Sequence, residues 1–136
     1  MKRIILFVIT ISLLSACSTS PAVDVFGDWT LVAYGEGSNL TDALPQVDAF
    51  ISFTESQVSG NVGCNGFGGD YKVKGNTITF GSIMSTMMYC EETMAQEQGV
   101  LAALQGEVKA TVNGNTLTLT SADGSVVILS RRETGY

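Results

Sequence analysis

Asp70-Tyr71-Lys72-Val73-Lys74-Gly75-Asn76-Thr77-Ile78-Thr79-Phe80 decides the fold. Two short runs rich in β-branched and aromatic residues flank the dipeptide Gly75-Asn76. Alternating side chains around a Gly-Asn pair predict two strands joined by a two-residue hairpin. Lys72 and Lys74 alternate with Tyr71 and Val73, the pattern of a strand with one wet face.

The same grammar extends in both directions. Downstream, Val108 to Val112 and Thr116 to Thr120 flank Asn113-Gly114-Asn115, and Val126 to Ser130 follows the turn Ala122-Asp123-Gly124. Upstream, Trp29 to Tyr34 and Phe50 to Thr54 read as strands, with Gln57 to Gly60 pairing with the latter. Gly35 to Gln46 is polar and holds glycine and proline, so it reads as a loop. One segment has another character. Met94 to Gln105 is rich in Ala, Gln, Glu, Leu and Met, all good helix formers. Thr93 and Gln96 suit a capping box, and Gly106 suits a C-terminal stop. Met94, Val100, Leu101 and Leu104 are expected to share one apolar face, with Gly99 a mild cost. The expected fold is α+β, one amphipathic helix lying on an antiparallel sheet.

The start of the chain has a different logic. Met1-Lys2-Arg3 precedes an apolar run from Ile4 to Leu14 and then Ser15-Ala16-Cys17. A charged start, a short apolar stretch and a small-residue exit predict a secretory signal over residues 1–16. The run is short of the roughly 20 residues that span a bilayer. Leu14-Ser15-Ala16-Cys17 resembles a bacterial lipobox, which implies diacylation of the Cys17 thiol. Several acyl chains are needed for stable anchoring. Ser18 in place of aspartate implies, by the same resemblance, an outer-membrane lipoprotein facing the periplasm. Residues 17–25 read as a lipidated tether, 26–130 as one domain and 131–136 as a frayed tail.

Charge narrows the partners. The chain carries a net charge of −6. Loss of Lys2 and Arg3 with the signal leaves Lys72, Lys74, Lys109, Arg131 and Arg132 against 13 acidic residues. Such a surface disfavours nucleic acid and anionic headgroups. The absence of histidine removes Cys-His and Ser-His-Asp nucleophile pairs and imidazole metal ligands. Gly66-Phe67-Gly68-Gly69 leads toward a strand, so it reads as a turn or bulge rather than a phosphate cradle. No enzymatic activity and no cofactor are expected. Cys64 and Cys90 have two readings in an oxidising compartment, a disulfide or two buried thiols. Met84, Met87, Met88 and Met94 lie near Cys90; they read either as core filling or as thioether ligands for Cu(I).

Three stretches are more specific. They are Gly27-Asp28-Trp29-Thr30-Leu31, the run Gly60 to Tyr71 containing Gly63-Cys64-Asn65-Gly66-Phe67-Gly68-Gly69, and Ser85-Thr86-Met87-Met88-Tyr89-Cys90. Their order and spacing resemble the META/HslJ-like domain family, over about residues 26 to 130. That family shows G-x-W-x-L, then G-x-x-G-C-N-x-F-x-G-x-Y, then T-x-M-x-C before a helix. The resemblance implies a curved, partly barrel-like antiparallel sheet packed against one α-helix. It also implies an envelope lipoprotein linked to heat shock, stress response and antibiotic tolerance. An arginine often follows the threonine in that family; here Met87 stands there. The motif residues suit structural work. Gly63 and Gly66 bracket Asn65, a residue type that tolerates left-handed geometry. Phe67 and Tyr71 supply core area, and Trp29 anchors the first strand while needing a partner for its indole N–H. Trp29, Gly63, Asn65, Phe67, Gly69, Tyr71, Thr86 and Met88 are thus the expected motif positions, beside Cys17 for lipidation.

The functional expectation is a monomeric, non-enzymatic envelope lipoprotein, held to the membrane by its lipid, that binds a protein, lipid or small apolar ligand. Alternatives are a pilotin- or chaperone-like lipid-binding module, a protease inhibitor using Gly35 to Gln46, and a Cu(I)-binding protein using Met84, Met87 and Met88.

Overall fold

In the computed structural model, Gly75 takes φ of +59°, the left-handed region that a two-residue hairpin needs and glycine enters without penalty. The turn joins β5 (Gly66–Lys74) to β6 (Thr77–Phe80), with Lys74 paired to Thr77 as the sequence predicts. The structure describes residues 21–133. The expected signal over 1–16 and the lipidation site Cys17 lie outside the described residues.

The remaining elements are β1 (Gly27–Glu36), β2 (Asn39–Asp42), β3 (Phe50–Phe53), β4 (Gln57–Asn61), β7 (Met84–Ser85), α1 (Met94–Ala103), β8 (Gly106–Asn113), β9 (Thr116–Ser121) and β10 (Ser125–Arg131). The main path runs β10-β9-β8-β6-β5-β4-β3-β1, and β10 also pairs with β1. The sheet therefore closes into an antiparallel barrel of eight strands, with β2 attached to β1 and β7 to β5. Eight strands enclose an interior that side chains just fill. Here Trp29, Ile51, Phe53, Ile78, Leu117 and Leu129 fill it, all fully buried.

Closure depends on β1. Residues Gly27 to Thr30 pair with β3, and Ala33 to Glu36 pair with β2 on the same edge. The opposite edge pairs with β10 from Trp29 to Glu36. Val32 is skipped in that register, since Leu31 faces Leu129 and Ala33 faces Ile128. A bulge of one residue reverses the alternation. Tyr34, opposite buried Val127, thereby joins the inner face. Its ring meets α1 at Gly99, where a Cβ would stand only 2.8 Å from the ring. The glycine that weakens the helix by propensity is thus one of the points where helix and barrel touch.

Several boundaries differ from expectation. The segment Gly35 to Gln46 is not all loop: Asn39–Asp42 forms β2, folded back on β1 through Gly37 at φ +55°. Its strand character comes from pairing with β1, not from its own propensity. The tether is shorter than 17–25, because Val25 is buried and Val23 N–H donates to Gly75 O at 2.8 Å. Trp29 Nε1 donates to Val25 O at 2.8 Å, so the indole finds its partner in that supposed tether. The tail also begins later than 131. Arg131 ends β10, lies 4.2 Å over the Trp29 ring and donates from Nη1 to Phe26 O at 3.1 Å. Arg132 N–H donates to Asp28 O at 2.8 Å. A cation over a buried indole face fixes what composition alone suggests would fray.

The helix exists as expected, but its capping box does not form. Thr93 is the N-cap without a side-chain cap hydrogen bond. Gln96 is buried and engaged elsewhere: Nε2 donates to Val62 O and Oε1 accepts from Leu44 N–H, both at 2.7 Å. Two loop groups that would otherwise lack partners, Val62 O buried and Leu44 N–H part-buried, outcompete the local cap. The stripe that meets β1, β9 and β10 is Gln96, Val100, Ala103 and Leu104. Val100 and Leu104 face the core as expected, whereas Met94 and Leu101 are half-buried.

Candidate functional site

The loop after β4 comes unusually close to α1. A Cβ at Gly63 would stand 2.8 Å from Glu97 Cβ, so only glycine lets the two backbones approach this far. The approach delivers Cys64 N–H and Asn65 N–H to Glu97 Oε2, at 2.8 and 2.7 Å. The Asn65 side chain then reaches across to the segment 86–88. Its Nδ2 donates to Glu97 Oε1 at 2.7 Å and to Met88 O at 3.0 Å. Its Oδ1 accepts from Thr86 Oγ1 at 2.8 Å and from Met88 N–H at 2.7 Å. A carboxamide offers two donors and two principal acceptor positions, and all are used. Asn61 supports the turn from behind, accepting from Gly63 N–H at 3.0 Å and donating to Cys64 O at 3.1 Å.

A covalent bond backs this clasp. Cys64 and Cys90 form a disulfide, with Cα atoms 6.1 Å apart. The two-fold reading of these cysteines resolves to the bridge. The central glycine-rich stretch and the Thr86-Met87-Met88-Tyr89-Cys90 stretch are thus one unit, joined by Asn65, Glu97 and sulfur. Phe67 and Tyr71 lie in the core as expected, and the Tyr71 ring meets Phe53 edge-on at 5.2 Å between centroids. Gly69 gives room for the return from β6: a Cβ there would stand 2.7 Å from Ser82 O. One expectation fails. Asn65 is not left-handed, since no non-glycine residue described has positive φ, and neither Gly63 nor Gly66 does. Their use here is space and hydrogen bonding.

Glu97 is the residue that sequence reasoning missed. Its three donors come from residues 32 and 33 positions away, and no local pattern announces that. The only sequence signal is an acidic residue in the first helical turn, favourable to the helix dipole anywhere. Desolvation raises the Glu97 pKa, but the hydrogen bonds from Asn65 and Cys64 together outweigh it, and the carboxyl is held below the usual glutamate value. The sign follows. A depressed folded pKa contributes stability in full above the unfolded pKa and loses it as pH falls through the folded one. Urea titrations from pH 7 down to pH 3 should show the wild type losing its advantage over Glu97→Gln below the ordinary glutamate range. An advantage unchanged down to pH 3 would contradict the assignment.

The clasp sets residues 84–89 beside α1 and leaves an open groove of about 520 Å³ between them. Met87, Met88 and Tyr89 form one wall, and Met94, Leu101 and Ala102 the other. Met84, Met87, Met88 and Tyr89 are 75%, 96%, 59% and 75% exposed, so these methionines do not fill the core. Cys90 has its sulfur in the disulfide and offers no thiolate to a Cu(I) site. Met87, at the position where the family often carries arginine, is the most exposed of the four. A wider depression of about 740 Å³ over β4 and β5 is lined by serine and threonine hydroxyls and glycines together with Val58, Phe67 and Met84, and Asp70 is its one titratable side chain.

The META domain family model matches residues 24–134. The chain belongs to the META domain family. This META domain also shares its fold with solved structures of low sequence identity. A protein from Burkholderia xenovorans solved by NMR matches with a TM-score of 0.65 at 21% identity, over 78% of this chain and 81% of that one. A crystal structure from Bacteroides vulgatus matches at 0.59 and 14%, over 80% and 94%. An uncharacterized protein from Bacteroides eggerthii matches at 0.52 and 18%, over 80% and 100%. No curated protein matches the chain. The family model extends beyond both expected domain limits, in keeping with Val25 and Arg131 belonging to the META domain.

Proposed function

We propose that this META domain works by contact and not by catalysis. Anchored at the outer membrane through an acylated Cys17, it offers the groove beside α1 to an apolar partner in the periplasm. One observation carries the reading. A fully satisfied hydrogen-bond hub is spent on holding Met87, 96% exposed, and its neighbours out in water. Ordinary folding gains nothing from apolar side chains presented that way, whereas a binding surface does. Methionine is flexible and polarizable, so such a wall adapts to more than one partner shape. The order Leu14-Ser15-Ala16-Cys17 supports the lipid anchor, and the family resemblance supports a role in stress tolerance.

The alternatives weigh less. Within the Gly35 to Gln46 segment, Asn39–Asp42 folds back on β1 as a hairpin, a poor match to a projecting inhibitory loop. The Cu(I) reading lacks the Cys90 thiolate. A pilotin-like role would use the same groove and is a variety of the same proposal.

A photoreactive residue at position 87 tests the reading in living cells. A discrete envelope adduct is expected from Met87→benzoylphenylalanine and none from Thr111→benzoylphenylalanine, at an exposed position of β8. Equal labelling from both positions, or none from either, would sink the proposal. Labelled palmitate should enter the wild type and fail to enter Cys17→Ser.

A further inference from the structure

We infer that the groove takes a cationic amphipathic helix, an inference that rests on the contact reading above and deepens it. The shape argues first. The groove follows one side of α1 from Met94 past Ala102 to Gln105. At 1.5 Å per helical residue, the Met94–Ala102 stretch alone is roughly 12 Å long. A trough of that length, open to solvent along one side, suits an elongated partner of two to three helical turns laying an apolar stripe between the methionines. An acyl chain would remain wet along its open side.

Charge argues second. The stretch Ser82 to Val108 supplies both walls and contains Glu91, Glu92, Glu97 and Glu107 but no lysine or arginine. Glu91 and Glu92 are exposed in the turn joining Tyr89 on one wall to Met94 on the other. The domain's cations lie elsewhere: Lys72 and Lys74 near the β5–β6 hairpin, Lys109 on β8, and Arg131 and Arg132 at the end of β10. The one ion pair among the described residues joins Arg132 to Asp48, remote from the groove in sequence. A mainly apolar trough whose flanking stretch carries carboxylates and no cation attracts a partner that flanks its apolar stripe with lysine or arginine, and repels anionic lipid headgroups.

The test uses the lipidated full-length mature protein in phosphatidylcholine nanodiscs, with empty nanodiscs subtracted. Two fluorescent helical peptides of the same leucine pattern are compared, one with lysine and one with glutamate at the polar positions. The lysine peptide should bind at least ~10-fold tighter at low salt, with the preference shrinking as salt rises. Glu91→Gln with Glu92→Gln should reduce the preference several-fold. Met87→Ser with Met88→Ser should weaken the lysine peptide about tenfold, since the backbone bonds of residue 88 to Asn65 survive. Equal binding of both peptides overturns the inference and leaves the contact reading intact. Binding of neither, while a neutral apolar dye still lights up on the wild type and not on the methionine variant, does the same. Failure of the dye as well removes both.

Discussion

Asn65→Ala is expected to lower folding stability by about 3 to 4 kcal/mol, near the upper end of single substitutions. The side chain makes four hydrogen bonds, two of them to the backbone of Met88 and one to a carboxylate. Each net bond is worth about 1 kcal/mol, more where a charged group takes part. Deletion also leaves Met88 N–H and Thr86 Oγ1 without the partner they have in the fold. Water entering along the groove relieves part of that, which keeps the figure below the simple sum. Urea denaturation measures the loss, with exposed Asn113→Ala as the control expected to stay within about 0.5 kcal/mol. Asn65→Asp provides a sharper reading. It sets a second carboxylate where a donor now meets Glu97 Oε1 at 2.7 Å. Like charges that close cannot both ionise cheaply. Asn65→Asp should be worse than alanine at neutral pH, and its deficit relative to wild type should shrink in acid as one carboxyl takes up a proton.

Loss of the disulfide is the second large effect. The bridge closes a loop between residues 26 apart in sequence. Restricting the unfolded chain to that loop is worth about 3 to 4 kcal/mol in the entropy model. Cys64→Ser with Cys90→Ser, or a reductant acting on the wild type, should lower the unfolding free energy extrapolated from urea titrations by that amount. The consequence for the groove differs from that of Asn65→Ala. The serine variant keeps every hydrogen bond of Asn65, so its adduct from position 87 should persist under conditions where it remains folded. Asn65→Ala should lose the adduct even with the disulfide intact. If the two variants behave alike in crosslinking, the clasp does not position the methionines.

What was legible beforehand was what is local. The Gly75 turn, the alternation of β5 and β6, the hairpin at Gly114 and the helix after Thr93 are all written within a few residues. Trp29 announced itself by size, and the spaced glycines, Cys64 and Asn65 carried the family resemblance. What stayed hidden depends on contacts distant in sequence. Barrel closure through β1 and β10 requires the Val32 bulge, which nothing in Trp29 to Tyr34 signals. Asn39 and Asp42 at the ends of β2 are poor strand formers, and the segment pairs because β1 offers an edge. Gln96 looked like a cap and was claimed by Leu44 and Val62 instead. Met94 and Leu101 fitted a core stripe by helical period, but the stripe turned toward Gln96, leaving them to the groove. Glu97 had no motif at all, because its role is made by a loop folded against it.

The amide proton of Met88 tests the account most directly. It is donated to Asn65 Oδ1 at 2.7 Å, although its own side chain is 59% exposed. Hydrogen exchange at this single position should be slower than in an unstructured chain by a hundredfold or more in the wild type, and fast in Asn65→Ala under conditions where the barrel amides of Ile78 and Leu119 stay protected. A Met88 amide that exchanges freely in the wild type would mean that Asn65 does not hold this wall in place, and the groove would lose its physical basis.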